Sequence, residues 1–312
     1  MALVNPATTR EAVARQLRGG RADIAGLAFR ALLLVALLVT VGILGILILD
    51  VWTGGWSVLS ERLGSFLTGT LSSRSERAGV FQGIRGSFWI AMFTIVLAFP
   101  LGIGAAIYLE EYAPNTRFAR VVDVNIRNLA GVPSVVYGIL GLTIFVKVLG
   151  SFTGGRTVMA AGITLAILVL PIVIITSAEA IRSVPSGLRE AGFGVGATRW
   201  EVIRHHVLPY AAPGILTGTV LSLARALGEA APLILVGATT DFLGGGRGSL
   251  LDFGQLTERF TALPIIITTW AGRPQTEFRS LTAAAIVVLL VVVLLFNAVA
   301  ILLRNRYEKR RR

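Results

Sequence analysis

The sequence predicts an all-α integral membrane protein that crosses the bilayer six times. Hydrophobic residues make up 54% of the 312 residues and charged residues only 15%, whereas soluble domains contain about 25% charged residues. Six apolar segments are each long enough to cross about 30 Å of hydrocarbon as a helix of about 20 residues. They are 27–49, 86–109, 128–149, 157–178, 210–237 and 281–303.

The first segment, 27–49, is predicted to stay in the membrane as an anchor. It is longer than the apolar region of a secretory signal, about 7–15 residues, and no Ala-x-Ala-like cleavage site follows it. With the N-terminus inside, inner segments carry roughly twice as many lysines and arginines as outer ones, as is typical of membrane proteins. Residues 1–26 and the basic tail 304–312 are therefore both expected in the cytoplasm. The same topology explains the net charge of +12 without nucleic acid.

Two long loops, 50–85 and 238–280, lie outside in this topology. Both contain glycines, aromatic residues and short apolar patches. Aromatic side chains are enriched at membrane–water interfaces. The loops therefore either anchor the chain at that interface or form a landing surface for an external partner.

Several residues of the second and third segments have a simple structural interpretation. Glu110 and Glu111 fall at the cytoplasmic end of the second segment, where we expect them to be solvated. Gly131, Gly138 and Gly141 lie in the third segment, where glycine permits helices to pack closely in a membrane. We therefore expect these three glycines at helix contacts rather than at a substrate site.

The cytoplasmic loop 179–209 is much longer than a connector between two helices, which needs about 2–8 residues. A short helix carrying Glu190 and Ala191 is predicted in its first half. Thr198 and Glu201 have the spacing of a capping box, in which each side chain accepts a hydrogen bond from the other residue's backbone N–H. The loop therefore predicts a helix–turn–helix on the membrane face that a partner protein grips.

Glycine and proline set the boundaries inside this loop. Gly192, Gly194 and Gly196 interrupt the first short helix with positions that tolerate left-handed backbone. Pro209 falls at the start of the fifth apolar segment, where a proline is tolerated in the first turn of a helix. The sequence thus predicts two short helices followed by a new transmembrane helix.

Arg225 and Glu229 are charged residues inside the fifth apolar segment, one helical turn apart. Arg225 lies about 15 residues along the segment, which corresponds to a depth of about 22 Å. A charge there costs about 2.5–3.5 kcal/mol and should face a partner or a water-filled cavity. Pro232 is expected to kink the helix beside both charges. These features fit an anion passage, since guanidinium suits phosphate oxygens; the alternative is a staple between subunits.

Glu190-Ala191, Gly196 and Leu208-Pro209 resemble the cytoplasmic "EAA" loop of ABC-importer permeases, whose helix seats in a groove on the ATP-hydrolysing subunit. Gly192 replaces the family's usual second alanine, and His206 its usual isoleucine. The resemblance covers most of residues 60–308. Four further stretches are similar to the phosphate-specific ABC permease of the PstA type: Phe99–Tyr112, Gly131–Gly138, Ala224–Leu233 and Trp270–Pro274.

This resemblance implies a type I (MetI-like) importer permease with loop 179–209 as its coupling loop. It implies four partners: an ABC ATPase dimer at the cytoplasmic face, a second permease of the PstC type, an extracytoplasmic phosphate-binding protein, and phosphate as substrate. Phosphate would pass Arg225 and Glu229 by alternating access, in the cell membrane of a prokaryote. We expect no catalytic residue, cofactor or metal. We expect ATP hydrolysis in a separate subunit, because no Gly-x-x-x-x-Gly-Lys-Ser/Thr phosphate loop is present.

Three other functions fit parts of the sequence. A secondary anion transporter or channel without an ATPase would favour repeat symmetry with broken helices in corresponding places. A membrane-embedded enzyme would need paired acids or histidines at one depth, and only Glu229 qualifies. Within the favoured class, the chain could serve an oxyanion other than phosphate.

Overall fold

The computed structural model describes residues 24–113, 116–240 and 253–309. Within these ranges every regular element is a helix, which confirms the predicted all-α fold. Residues 1–23 of the predicted cytoplasmic segment, 241–252 of the second outer loop and 310–312 of the basic tail lie outside the described residues.

Thirteen helices follow one another along the described chain. They are α1 (Ile24–Glu61), α2 (Leu63–Thr68), α3 (Phe81–Ile107), α4 (Arg117–Ala130), α5 (Ser134–Leu140), α6 (Gly150–Thr153), α7 (Val158–Arg182), α8 (Ser186–Gly194), α9 (Arg199–Val202), α10 (Leu208–Gly228), α11 (Ala231–Val236), α12 (Leu263–Ala271) and α13 (Glu277–Lys309). Turns of π-helix extend α3 through Tyr108–Tyr112, extend α5 through Gly141–Val148 and join α9 to α10 through Ile203–Val207. Short 3₁₀ turns occur at Ser75–Arg77 and Phe253–Thr257.

Five continuous helical stretches are long and apolar enough to cross a membrane: Ile24–Glu61, Phe81–Tyr112, Val158–Arg182, Arg199–Gly228 and Glu277–Arg306. A sixth span is formed if Arg117–Ala130 and Ser134–Val148, which meet at a bend of 102°, count as one. The described residues thus contain five candidate membrane spans, or six if the bent pair is one span.

The third predicted segment, 128–149, is not one helix. Helix α4 ends at Ala130, and the chain turns before α5 starts at Ser134. Pro133 has no N–H to continue α4, and a proline disfavours helical backbone at the residue before it, Val132. The segment therefore begins in the last turn of α4, an amphipathic helix, and its main helical part is Ser134–Val148, at 102° to α4.

The chain divides into two compact units, residues 1–53 and 54–312. In the first unit, residues 24–53 form one helix whose apolar side chains are exposed nearly all round. A helix that is hydrophobic on every face is typical of a membrane span surrounded by lipid or by other helices.

In the second unit, α7 is the central helix, with α3 and α10 packed against it. Glycines make the close contacts: a Cβ atom at Gly102 of α3 would lie 2.6 Å from Val173 Cγ1, and one at Gly218 of α10 only 2.2 Å from Thr176 Oγ1. The expected packing role is confirmed for Gly138 and Gly141 of the third segment, but not for Gly131, where a Cβ would meet only the carbonyl of nearby Asn128, at 3.5 Å. A Cβ at Gly138 would lie 2.7 Å from the Cα of Pro232, and Gly141 packs on Thr164 in the same way.

Candidate coupling loop and substrate passage

Loop 179–209 folds as a helix–turn–helix. Helix α8 is followed by a turn and by α9, which starts at the predicted capping box. Thr198 Oγ1 accepts from the Glu201 backbone N–H at 3.4 Å, and Glu201 Oε2 accepts from the Thr198 backbone N–H at 2.7 Å. Each residue thus satisfies a backbone donor that a helix start leaves unpaired. The local sequence is sufficient to fix where α9 begins.

The three glycines of the loop have different roles. Gly196 has φ of +83°, the left-handed backbone that favours glycine. Gly192 and Gly194 lie inside α8 with ordinary helical backbone, so the prediction that all three interrupt the helix is wrong for these two. Gly192 is instead required by packing, because a Cβ there would lie 2.8 Å from Val202 Cγ2 in α9. The structure shows α8 and α9 pressed together at this glycine.

The outward surface of the loop combines a carboxylate with apolar side chains. Glu190 and Ala191 are exposed, and in the described parts of the chain Glu190 makes no hydrogen bond or ion pair. Phe193, Val195 and Trp200 are also exposed, by 49%, 84% and 50%. Monomeric soluble surfaces seldom group large apolar side chains in this way, and such patches mark interaction sites. We refer to these five residues as the loop face.

The inward side of α8 is held by an arginine that the sequence did not single out. Arg189 donates from Nε and Nη2 to Glu111 Oε1, at 3.1 Å and 2.9 Å. It also donates to the backbone carbonyls of Val184 at 2.6 Å and Ile181 at 2.9 Å. The side chain of Glu111 is only 9% exposed. The expectation that Glu111 is solvated is therefore wrong, because α8 folds back over the end of α3.

Two further contacts join the end of the second span to neighbouring elements. Glu110 forms a two-point ion pair with Arg182, the last residue of α7, at 3.1 Å and 2.5 Å. The Arg199 guanidinium lies over the ring of Tyr112, 5.2 Å from its centroid, within the range of a cation–π contact. Glu110 too is ion-paired rather than simply solvated.

These pairings join residues 72 and 78 positions apart. From the sequence, the two adjacent acids and several arginines could be placed on the same predicted side of the membrane. That placement does not say which acid pairs with which arginine.

Leu208 and Pro209 lie where α9 continues into the fifth span. The sequence predicts a new helix at Pro209, but helix runs unbroken from Arg199 to Gly228. A proline inside a helix removes one backbone hydrogen bond and crowds the preceding turn. The π-helical turn Ile203–Val207 widens the helix just before Pro209, which is a known way to accommodate such a defect. Leu208 is half-buried and Pro209 exposed, so the two residues lie at the edge of the loop rather than in the loop face.

Arg225 and Glu229 meet at the other end of this span. Arg225 Nε and Glu229 Oε1 are 3.4 Å apart, with the side chains 48% and 18% exposed. The sequence predicts a kink at Pro232, whereas the structure has a complete break. Helix α10 ends at Gly228, Glu229 is extended with ψ of 115°, and α11 restarts at Ala231 with Pro232 in its first turn. Proline is well suited to that position because the first N–H groups of a helix are unpaired anyway.

The Arg225 side chain belongs to an exposed stripe along α10. Thr217, Leu221, Arg225 and Gly228 are exposed and recur at the spacing of one helix face. A half-exposed guanidinium in an apolar span can donate to an anion or to another protein chain. The break at Glu229 is irregular backbone of the kind tolerated in membranes where it lines a cavity or is buried in protein.

Comparison with known proteins identifies a family. Residues 98–312 match the family described as "Binding-protein-dependent transport system inner membrane component". The matched range contains the last part of α3, the whole of loop 179–209, and both Arg225 and Glu229.

Among its relatives in sequence, the chain is similar to a probable ABC transporter permease protein, YqgH, of Bacillus subtilis, with 40% identity over 53% of this chain and 54% of that protein. It is 34% identical to the phosphate transport system permease protein PstC of Mesorhizobium japonicum, over 64% of this chain and 68% of that one. It is 31% identical to the PstA protein of Haemophilus influenzae, over 67% and 70%. The chain spans little more than half the length of the first of these relatives.

Solved structures with the same fold are ABC importers. A bacterial alginate ABC transporter in complex with its pentasaccharide-bound periplasmic protein matches with a TM-score of 0.63 and 16% identity, over 88% of this chain and 92% of that one. The MetNI methionine ABC transporter in an inward-facing form matches with a TM-score of 0.56 and 18% identity, over 73% and 97%. At such identities the match concerns the fold, and it is the predicted MetI-like permease fold.

Proposed function

The chain belongs to the family of binding-protein-dependent transport system inner membrane components, and we propose that it is the permease subunit of an ATP-driven importer of inorganic phosphate. Relatives named as phosphate permeases, of both the PstA and the PstC type, support phosphate as the substrate. The resemblance of the Ala224–Leu233 stretch to the PstA type favours that subunit.

The observation that carries the proposal is the half-exposed guanidinium of Arg225 beside a helix break. The planar fork of arginine donates two parallel hydrogen bonds to neighbouring phosphate oxygens. Glu229 occupies one donor, Nε, at 3.4 Å, so it orients the fork and its negative charge prevents the site from holding an anion too tightly. Such a site binds phosphate in passing and releases it.

The loop face supports the ATP-driven part of the proposal. Glu190, Phe193 and Trp200 offer a carboxylate and two aromatic side chains that are exposed in this chain. We assign this surface to an ABC ATPase dimer on the cytoplasmic side, as the resemblance of loop 179–209 to the EAA loop implies. A second permease, of the PstC type, would cover the exposed stripe of α10 and enclose the passage. A phosphate-binding protein would deliver substrate at the opposite face.

In this arrangement the importer works by alternating access in the cell membrane of a prokaryote, with both termini cytoplasmic. Closure of the ATPase dimer on nucleotide would move the coupling loop. The helices that end near Arg225 would then expose that residue to one side of the membrane at a time. This chain provides the passage, and ATP is hydrolysed by the other subunit.

The test is uptake of radiolabelled inorganic phosphate into proteoliposomes that contain the chain, the ATPase, the second permease and the binding protein. Arg225→Lys keeps the positive charge but removes the fork, and Arg225→Ala removes both. We expect Arg225→Ala to abolish uptake and Arg225→Lys to reduce it at least about tenfold, since bidentate recognition is lost, while all subunits still co-purify. Uptake at the normal rate by Arg225→Ala would instead favour the alternative role of Arg225, as a staple between subunits. In that case the subunits should co-purify less well. Uptake without the ATPase would point to a secondary transporter.

A further inference from the structure

The Arg189 guanidinium links its own helix to two other elements. It sits on α8, donates two hydrogen bonds to the Glu111 carboxylate at the end of the second span, and donates two more to carbonyls at the end of α7. The two carbonyls belong to Ile181 and Val184, which are 0% and 3% exposed. One side chain thus fastens the short helix of the loop to the ends of two membrane-crossing helices.

Neighbouring residues on α8 have opposite tasks. Successive residues of an α-helix point about 100° apart, so Arg189 is turned inward while Glu190 remains on the exposed loop face. A force applied to the loop face is therefore applied one residue away from the Arg189 contacts. Glu190 of the loop face and Arg189, which contacts the spans, are thus neighbours in the sequence.

The Glu111–Arg189 pair is also the best-shielded of the three long-range ion pairs described near this end of the spans. Its side chains are 9% and 23% exposed, whereas those of Glu110 and Arg182 are 17% and 58% exposed, and those of Arg127 and Glu179 are 38% and 59% exposed. Removing one partner of a shielded pair leaves an unpaired charge away from water, which is strongly unfavourable. An exposed pair is screened by solvent and contributes little. Of these pairs, Glu111–Arg189 is therefore the most costly to open.

We propose that the Glu111–Arg189 pair is a rigid joint that stays closed throughout the transport cycle and positions α8 on the second and fourth spans as one body. This inference rests on the proposed function, in which the loop face is moved by an ATPase. Without the joint, the loop would move while the spans stayed behind. Arg189 is therefore a positioning residue for coupling, distinct from the surface that binds the ATPase.

The first experiment measures phosphate transported per ATP hydrolysed in the reconstituted four-component importer. Glu111→Gln and Arg189→Lys are expected to lower this ratio at least about tenfold, while ATP hydrolysis continues. Arg189→Lys is informative because its ammonium keeps the charge but cannot serve the carboxylate and both carbonyls in the fork geometry of arginine. Glu110→Gln, which breaks the pair whose arginine is mostly exposed to solvent, is the matched control and should change the ratio by less than about twofold. A normal ratio in Arg189→Lys overturns the proposal.

A second experiment works even where a variant assembles poorly. The chain contains no cysteine, so Glu111→Cys with Arg189→Cys provides a unique pair for a short bifunctional thiol reagent. A closed joint predicts equal cross-linking without nucleotide and with ATP plus vanadate. It also predicts that the cross-link, which replaces the lost ion pair, raises the amount of phosphate that the double variant transports per ATP hydrolysed. Cross-linking in one nucleotide state alone, or a transport ratio that the cross-link leaves unchanged, overturns the proposal.

The two levels of inference fail in different ways. If the wild-type importer does not take up phosphate, the proposed substrate is wrong. The dependence of the cross-linking yield on nucleotide still tests the joint, because that yield does not depend on the identity of the substrate. If phosphate is taken up and the yield changes with nucleotide, the proposed function stands and the rigid joint is rejected.

Discussion

The packing of α8 on α9 makes a sharp prediction at Gly192. The resembling permeases usually have alanine there, so Gly192→Ala looks harmless from the sequence. In the structure the added Cβ would lie 2.8 Å from Val202 Cγ2, 3.4 Å from Cγ1 and 3.6 Å from His206 Cδ2. Val202 is 1% exposed and, being β-branched, has one strongly preferred rotamer in a helix. It cannot move aside without shifting α9.

The magnitude follows from two opposing terms. Overpacking of a well-packed site costs about 1–3 kcal/mol, and replacing a glycine inside a helix by alanine returns about 0.5–1 kcal/mol. We expect Gly192→Ala to destabilise the α8–α9 pair by about 1–2 kcal/mol. Gly194→Ala is the matched control: it lies two residues further along α8, and no atom is within 4 Å of its added Cβ. It should be neutral or stabilising by up to about 1 kcal/mol.

Hydrogen exchange of the backbone amides in residues 186–202, read by mass spectrometry on the purified protein, measures this difference. Each 1.4 kcal/mol of lost local stability speeds exchange about tenfold, so Gly192→Ala should exchange several-fold faster than Gly194→Ala. Adding Val202→Ala to Gly192→Ala should restore part of the protection by removing the clash. Equal exchange in the two single alanine variants would refute the packing argument and leave Gly192 without a structural role.

Three further predictions concern other parts of the molecule. Gly196→Ala forces a side chain into left-handed backbone (φ of +83°) and should destabilise the turn by about 1–2 kcal/mol; hydrogen exchange of residues 195–198 checks this, and unchanged exchange contradicts it. Gly218→Val should push α10 away from Thr176, which a Cβ would approach to 2.2 Å, and cost about 1–3 kcal/mol; the midpoint of thermal unfolding in detergent should fall, and an unaltered midpoint argues against the close helix contact. Glu190→Lys reverses the charge on the loop face and should prevent the ATPase from co-purifying, although the chain still inserts in the membrane; normal recovery of the ATPase would remove the loop face from the proposed interface.

Local signals in the sequence predicted much of this fold. The length of an apolar segment decides whether a helix crosses a bilayer, because hydrocarbon thickness is fixed. A capping box acts over three residues, so Thr198 and Glu201 alone place the start of α9. The charges of Arg225 and Glu229 stood out because apolar surroundings make them costly. Each of these inferences depends on neighbours within one or two helical turns.

The tertiary structure alone decided which distant groups meet. Glu111 looks like a solvated acid until α8 brings Arg189 against it, 78 residues away along the chain. Gly192 looks like a helix breaker until α9 approaches within van der Waals contact of it. Pro232 indicated that the helix is irregular, whether as the kink that was predicted or as the break that the structure has. Which of the two forms depends on what the next turn packs on, and α11 packs on Gly138. Contacts of this kind are set by the path of the whole chain, so no window of sequence contains the information that specifies them.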